Sequence, residues 1–365
     1  MKTRACAIKQ LTLANGIRAV KLENELLSTT VLVDKGADIY ALEYKPHNID
    51  VLWKSPWGLK PAGQAIQTSY ASEVAWLEQY AGGWQLLFPN GGAACTYKGV
   101  QLNFHGEASV VPWRFDIDSK AHSAELRLET RLFRSPFRIQ RTLRIEQGSP
   151  QLIIRERITN EAGEPMDYMW GHHPAYGSPF LSEHCIVDTS AKRVRVDAEY
   201  IGNNNPLPLD ARTDWPRVAE IDLSKVPGRD TGPRDTLAYL TDFDGGWYGI
   251  TNTQLGFGVG LTWDTAAFPH AWYWQEMLSS AGFPWYKNVY VMAIEPNSTI
   301  PGNGLVAAMR ENAHRTLGAG ESYETELRAV FYESHTGILG IDRTGAVSVR
   351  HVSTLSRARQ SAHTE

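Results

Sequence analysis

Apolar residues recur at every second position far more often than at every third and fourth, so the chain predicts strands rather than helices. The clearest candidates are 28–33, 39–44, 125–133, 138–145, 151–159, 247–251, 256–262 and 289–295, most of them bounded by Gly, Pro, Asn or Asp. The tract 127–159 holds three alternating segments parted by Arg134-Ser135-Pro136 and by Glu146-Gln147-Gly148-Ser149-Pro150, which predicts an antiparallel meander. Its charged positions, Arg127, Glu129, Arg131, Arg141, Arg144, Arg155, Glu156 and Arg157, are assigned to cross-strand ion pairing on a solvated face. Two weaker stretches, 69–80 around Trp76 and Leu77 and 271–281 around Gln275, Glu276 and Met277, predict helices or irregular loops. The Pro-, Asn-, Gly- and Asp-rich stretch 202–233 predicts a long excursion that contains short strands and walls a site. No internal repeat of 20 to 50 residues is visible. The expectation is an all-β protein with few short helices. It forms one domain over 1–332, followed by a partly ordered tail over 333–365 with one alternating patch at 346–352.

Composition sharpens this picture in four places. The chain of 365 residues is 42% hydrophobic and 21% charged, which supports a sizeable core and excludes disordered and fibrous classes. A formal charge of −4 without runs of like charge leaves no footprint for nucleic acid. The 12 Trp, 15 Tyr and 31 Gly suit strands and tight turns, and Trp also stacks on sugar faces. Cys6, Cys95 and Cys185 are odd in number and far apart, which reads as free thiols in a reducing compartment. With no signal-like leader and no apolar run of membrane-spanning length, the expectation is a cytoplasmic protein without a membrane partner; it is a monomer or a homodimer, a choice the sequence leaves open.

No phosphate cradle in a strand-to-helix context, GxSxG elbow or HExxH pair is present, so no cofactor is expected. Three turn-associated clusters remain: Asn103-Phe104-His105-Gly106-Glu107, Trp170-Gly171-His172-His173-Pro174-Ala175-Tyr176 and Ile294-Glu295-Pro296-Asn297. Together they supply imidazoles and a carboxylate that ends an apolar strand, where burial raises its pKa. Adjacent side chains on an extended chain point to opposite faces, so His172 and His173 do not share a metal ion, and no metal is expected.

The order and spacing of LLFPNGG (86–92), HGEASVVPW (105–113), GHHPAYG (171–177), AIEP (293–296) and LGAGESYETELR (317–328) resemble the aldose 1-epimerase, or galactose mutarotase-like, family, in a divergent bacterial branch. The resemblance covers roughly residues 30 to 332. It implies a large antiparallel β-sandwich, a supersandwich with a sugar cleft on a concave face, and a cofactor-free exchange of α- and β-anomers. It also implies His105 as the sugar-positioning His, His173 as the general acid and Glu295 as the general base. His172 stands where relatives often carry a small residue and is a secondary candidate. The Arg that relatives carry after the FPNGG-like motif is absent, since Gly91, Gly92, Ala93 and Ala94 follow and no Arg appears before Arg114. Asp235 stands at about the separation from the base at which relatives place a sugar-binding Asp.

The chemistry needs a base for the C1 hydroxyl and an acid for the ring oxygen, each with a pKa near the working pH. Glu295 is therefore expected to have a raised pKa, and His173 to hold a proton favoured by Glu107 or Glu276. Asn90, Asn103, Gln275 and Asn297 are candidate polar contacts to the sugar, and Trp272 and Trp274, alternating with Tyr273, are candidate stacking rings. Two other readings stand beside this one: a non-catalytic sugar-binding or sensing module, and a lyase or glycoside hydrolase on the same scaffold. Hydrolysis requires a second carboxyl at a defined distance from Glu295, for which Glu107, Asp264 and Glu276 are the candidates.

Overall fold

A computed structural model describes residues 6–60 and 71–350. The start of the 69–80 stretch and the tail beyond 350 lie outside the described residues. Eighteen of the strands among the described residues join one continuous antiparallel sheet that folds back on itself into two facing layers. One layer runs through strands Arg114–Lys120, Ser123–Arg131, Phe137–Glu146, Gln151–Asn160, Ser322–Glu333 and Phe257–Trp263. The other runs through Asp38–Tyr44, Trp84–Leu87, Gly171–Gly177, Tyr290–Asn297, His270–Met277 and the first part of Arg234–Asn252.

That last strand, 19 residues long, belongs to both layers. Residues 234–240 pair with His270–Met277, whereas residues 246–252 pair with Phe257–Trp263. Between the two halves Asp242 and Gly245 adopt positive φ, which turns the chain from one layer into the next. Leu126, Ile139, Leu143 and Ile154 of the first layer share one buried core with Trp84, Leu86, Tyr176, Met292 and Ile294 of the second.

The predicted meander is present in order, and most of its charges pair in solvent, as Arg131 does with Glu161 and Arg155 with Glu326. Arg141 and Glu156 do not. They sit directly opposite each other on neighbouring strands, and both side chains are fully buried, with Arg141 Nε 2.9 Å from Glu156 Oε1. Their parity explains it, because Arg141 alternates with Ile139 and Leu143 on the inward face and Glu156 with Ile154 and Ile158.

The stretch 271–281 is also corrected. It forms the strand His270–Met277, buried on both faces, so its alternation is erased at the level of sequence. Helices are confined to Ser72–Glu78 and Leu305–Arg310 among the described residues. The 202–233 excursion contains the short strands Arg212–Asp214, Arg217–Val218 and Ile221–Asp222. Beyond Glu333 a hairpin of Ile338–Ile341 and Val347–Val349 packs Ile338 and Ile341 against Val330, Tyr332 and Trp247. No helix among the described residues is long and apolar enough to cross a membrane.

Candidate active site

Strand register alone assembles the centre of the site. In Gly171–Gly177 the registered pairs Gly171–Asn297 and Ala175–Ala293 bracket His173, which places it opposite Glu295. On its other side His173 pairs with Gln85, and Glu295 pairs with Trp272, which in turn pairs with Tyr239. The Ile39–Trp84 bridge carries the row one strand further, to Asp38. Asp38, Gln85, His173, Glu295, Trp272 and Tyr239 thus form one rung across six strands, which at the Trp272–Tyr239 end is buried in the main apolar cluster.

Glu295 and His173 are the closely placed titratable pair in the middle of this rung. His173 Nε2 lies 3.5 Å from Glu295 Oε1, just beyond an ordinary hydrogen bond, and both residues are buried. Glu295 Oε2 and His173 Nδ1 have no protein partner. Burial drives the pair toward its uncharged forms. It pushes the Glu295 carboxyl well above the usual carboxylate range, and, with Lys35 adding to the effect, it brings His173 down to about 4. The raised pKa expected of Glu295 is therefore present, whereas His173 is neutral, not charged. Neither Glu107 nor Glu276 supports a charge on it. Glu107 accepts from the backbone of Phe133 and Arg134 and from Ser135 Oγ, and Glu276 accepts from the backbone N–H groups of Ser279 and Ser280.

His105 arrives from a turn in which it and Gly106 both have positive φ. Its N–H donates to the Gly92 carbonyl, and the Gly92 N–H donates to His105 Nδ1, each at 3.0 Å. With Nδ1 an acceptor, Nε2 carries the proton. Burial, reinforced by His173, keeps the ring neutral, so it is a hydrogen-bond donor beside His173, ring centres 5.7 Å apart. Gly92 has no room for a side chain, since a Cβ there would lie 1.4 Å from the Gly302 carbonyl oxygen at a φ of +69°. Gly92→Ala is expected to destabilise the fold by on the order of 2–4 kcal/mol and to shift His105. Urea denaturation measures the first effect, and an unchanged midpoint would contradict it.

An aromatic panel closes over the pair. Trp76 and Tyr80, on and just after the Ser72–Glu78 helix, stack at 4.7 Å and meet His173 edge-on at 6.1 and 5.5 Å. Trp274 lies 5.9 Å from His173 and 5.5 Å from Trp285, and Trp53 packs on Tyr80.

The other sequence candidates separate by parity. His172 points into the core, where Trp84 Nε1 donates to its Nδ1 and its Nε2 lies 3.1 Å from Glu156 Oε2. Gln275 also faces inward, donating to Tyr273 Oη and accepting from Arg234. Asn90 is a loop brace whose amide is taken up by the backbone of Ala93, Asn103 and Leu305. Asn103 accepts from Arg134 outside the rung. Trp272 and Trp274 share one face by register, but only Trp274 lies beside His173, whereas Trp272 is packed into the main apolar cluster with its Nε1 bonded to the Thr299 carbonyl. Asp235 shares that face but is held by Tyr200 Oη, Ser280 Oγ and the Asn203 N–H. Tyr200 links it to Trp274, and Asn204 of the excursion bonds Ser279, so the excursion borders the site.

Sequence reasoning missed Asp38, Tyr80 and Gln85. Gln85 had a signal, a lone polar residue in an apolar strand, whereas Tyr80 reaches the site only through tertiary packing. No group of three His, Cys, Asp or Glu among the described residues is placed to hold a metal ion.

Residues 14–330 match the family described as Domain of unknown function (DUF4432). No curated protein matches the sequence. Among solved structures the chain is similar to a "putative aldose 1-epimerase" from Klebsiella pneumoniae, at 17% identity and a TM-score of 0.68 over 92% of this chain and 86% of that one. It is also similar to a galactose mutarotase-like protein from Lactobacillus casei (16%, TM-score 0.57, 86% and 100% covered) and to one from Clostridium acetobutylicum (14%, 0.60, 90% and 99%). At these identities the likeness is one of fold, a galactose mutarotase-like sandwich.

Proposed function

Since the chain belongs to the DUF4432 family and has a galactose mutarotase-like fold, we propose that it is a carbohydrate mutarotase, interconverting α- and β-anomers with Glu295 as base and His173 as acid. The observation that carries this reading is the Glu295–His173 pair itself: two buried, mutually opposed titratable groups with unpartnered atoms.

The pair needs one proton between its two members. With the proton on His173, the Glu295 carboxylate takes the C1 hydroxyl proton while the imidazolium donates to the ring oxygen. The C1–ring oxygen bond breaks, and the open-chain aldehyde remains beside a protonated Glu295 and a neutral His173. That is the form burial favours, so the site is suited to the open-chain state in which C1 rotates. Return of both protons closes the ring on either face and restores the starting pair, with no cofactor consumed. His105 donates from Nε2 to a sugar oxygen, and Trp76 and Trp274, beside His173, offer stacking surfaces. The unpaired Cys6, Cys95 and Cys185 suit a reducing, cytoplasmic setting.

Magnetisation exchange between α- and β-anomer NMR signals, across neutral and acidic aldoses, tests the proposal. Enzyme-dependent exchange for at least one sugar is expected. Sugar-dependent shifts in the protein spectrum without any exchange would replace it with a binding module.

A further inference from the structure

The rung extends past His173 to residues that the acid-base chemistry leaves unused. Asp38 and Gln85 are fully buried and Tyr80 nearly so, yet Asp38 Oδ1, Gln85 Oε1 and Tyr80 Oη have no protein partner. They are contiguous with the pair. Gln85 is the cross-strand neighbour of His173, its Nε2 donates to Asp38 Oδ2 at 3.2 Å and to the Gly82 carbonyl at 2.7 Å, and the Tyr80 ring rests against His173. Unpaired buried polar atoms are rare in folded proteins and mark places where a polar guest completes the bonding.

The chemistry of the free atoms selects that guest. With both amide protons of Gln85 engaged, its Oε1 can only accept, and Asp38 Oδ1, on a carboxyl paired with Lys35, stands beside it as a second acceptor. Tyr80, whose proton is held chiefly by burial, is the donor of the set. The Lys35 ammonium is spent on Asp38 Oδ2. A guest here must bring several O–H donors and accept one hydrogen bond. A phosphate, sulfate or carboxylate brings acceptors and negative charge to a buried site whose Lys35 ammonium is already paired.

We propose that Asp38, Gln85 and Tyr80 form a second subsite beside Glu295 and His173 that binds adjacent hydroxyl groups of a neutral polyhydroxylated ring. This rests on the mutarotase reading for what happens at C1, but not for binding. Hydroxyl protons go to Gln85 Oε1 and Asp38 Oδ1, and Tyr80 donates to a ring substituent. The subsite sits on the opposite side of the pair from Trp272, so it orients the sugar along the rung.

Binding of 1,5-anhydrohexitols, neutral rings that lack the C1 hydroxyl and cannot exchange anomers, separates the subsite from the chemistry. Titration of the full chain by NMR is expected to show binding that weakens roughly fivefold to thirtyfold in Tyr80→Phe and in Gln85→Met. A 6-phosphorylated anhydrohexitol is expected to bind more weakly than its neutral parent. Thermal melts identify any variant that has lost its fold, and Tyr80→Phe keeps the packed ring. Unchanged affinity in both folded variants, equal or tighter binding of the phosphorylated ring, or no binding of any anhydrohexitol overturns the proposal. Binding with the expected dependence but no anomer exchange with any aldose would uphold the subsite while removing mutarotation.

Discussion

Glu295→Gln is expected to lower enzyme-dependent anomer exchange by roughly a hundredfold to ten-thousandfold while making the protein more stable at neutral pH. The amide preserves shape but neither takes up nor releases a proton, so the exchange falls toward the solvent rate. The stability change follows from linkage. Burial raises the folded pKa of Glu295 above its unfolded value. The favourable state of this group is therefore fully present below the unfolded pKa, and it is lost as the pH rises toward the folded one. At pH 7 the wild type bears that penalty and the Gln variant does not, whereas near pH 4 the two should melt together. NMR exchange and paired melts at the two pH values read both effects. Wild-type exchange in the variant would remove Glu295 from the chemistry. A variant that melts lower at pH 7 would contradict the electrostatic account of a carboxyl kept neutral by burial.

Removing the Glu156 carboxylate is expected to have the largest effect on folding, about 3–5 kcal/mol for Glu156→Ala. Its side chain and that of Arg141 have no exposure, and His172 and Trp170 also direct their nitrogens at it. Burial works against the Glu156 charge, but His172 and Arg141 overcome it and hold the carboxyl below its usual range. Loss of the carboxylate leaves a buried guanidinium hydrogen-bonded to the Ala37 carbonyl, with Asp38 as its nearby opposite charge. Replacing both charges, as Arg141→Met with Glu156→Leu, should recover much of the loss, because the desolvation penalty then disappears together with the attraction. Urea unfolding of the two proteins decides. A single variant within about 1 kcal/mol of wild type would show that the cluster contributes little. Because His172 adjoins His173, the same variants test whether the core cluster steadies the strand that carries the acid.

Much of the fold is legible in the sequence because alternation is a local property. The segments at 39–44, 138–145 and 151–159 reappear within a residue or two as strands Asp38–Tyr44, Phe137–Glu146 and Gln151–Asn160. Alternation also separates His172 from His173, since adjacency on a strand is enough to send them to opposite faces. The same parity places Arg141 and Glu156 in line with isoleucines, so their charge alone is a misleading guide to solvent exposure. At 271–281 alternation fails for a different reason: both faces of that strand are covered, so Trp, Tyr and Gln succeed one another without a period.

The sequence by itself determined the all-β class, the turn-bounded strands and the three clusters that carry His105, His173 and Glu295, since each depends on neighbours along the chain. Only the tertiary structure decided which strands lie side by side, and in what register. That choice set His173 opposite Glu295, aligned Gln85 and Asp38 with them, brought Tyr80 over the pair and turned His172 and Gln275 inward. Register is settled by long-range packing of two faces against a common core, and no local spacing encodes it.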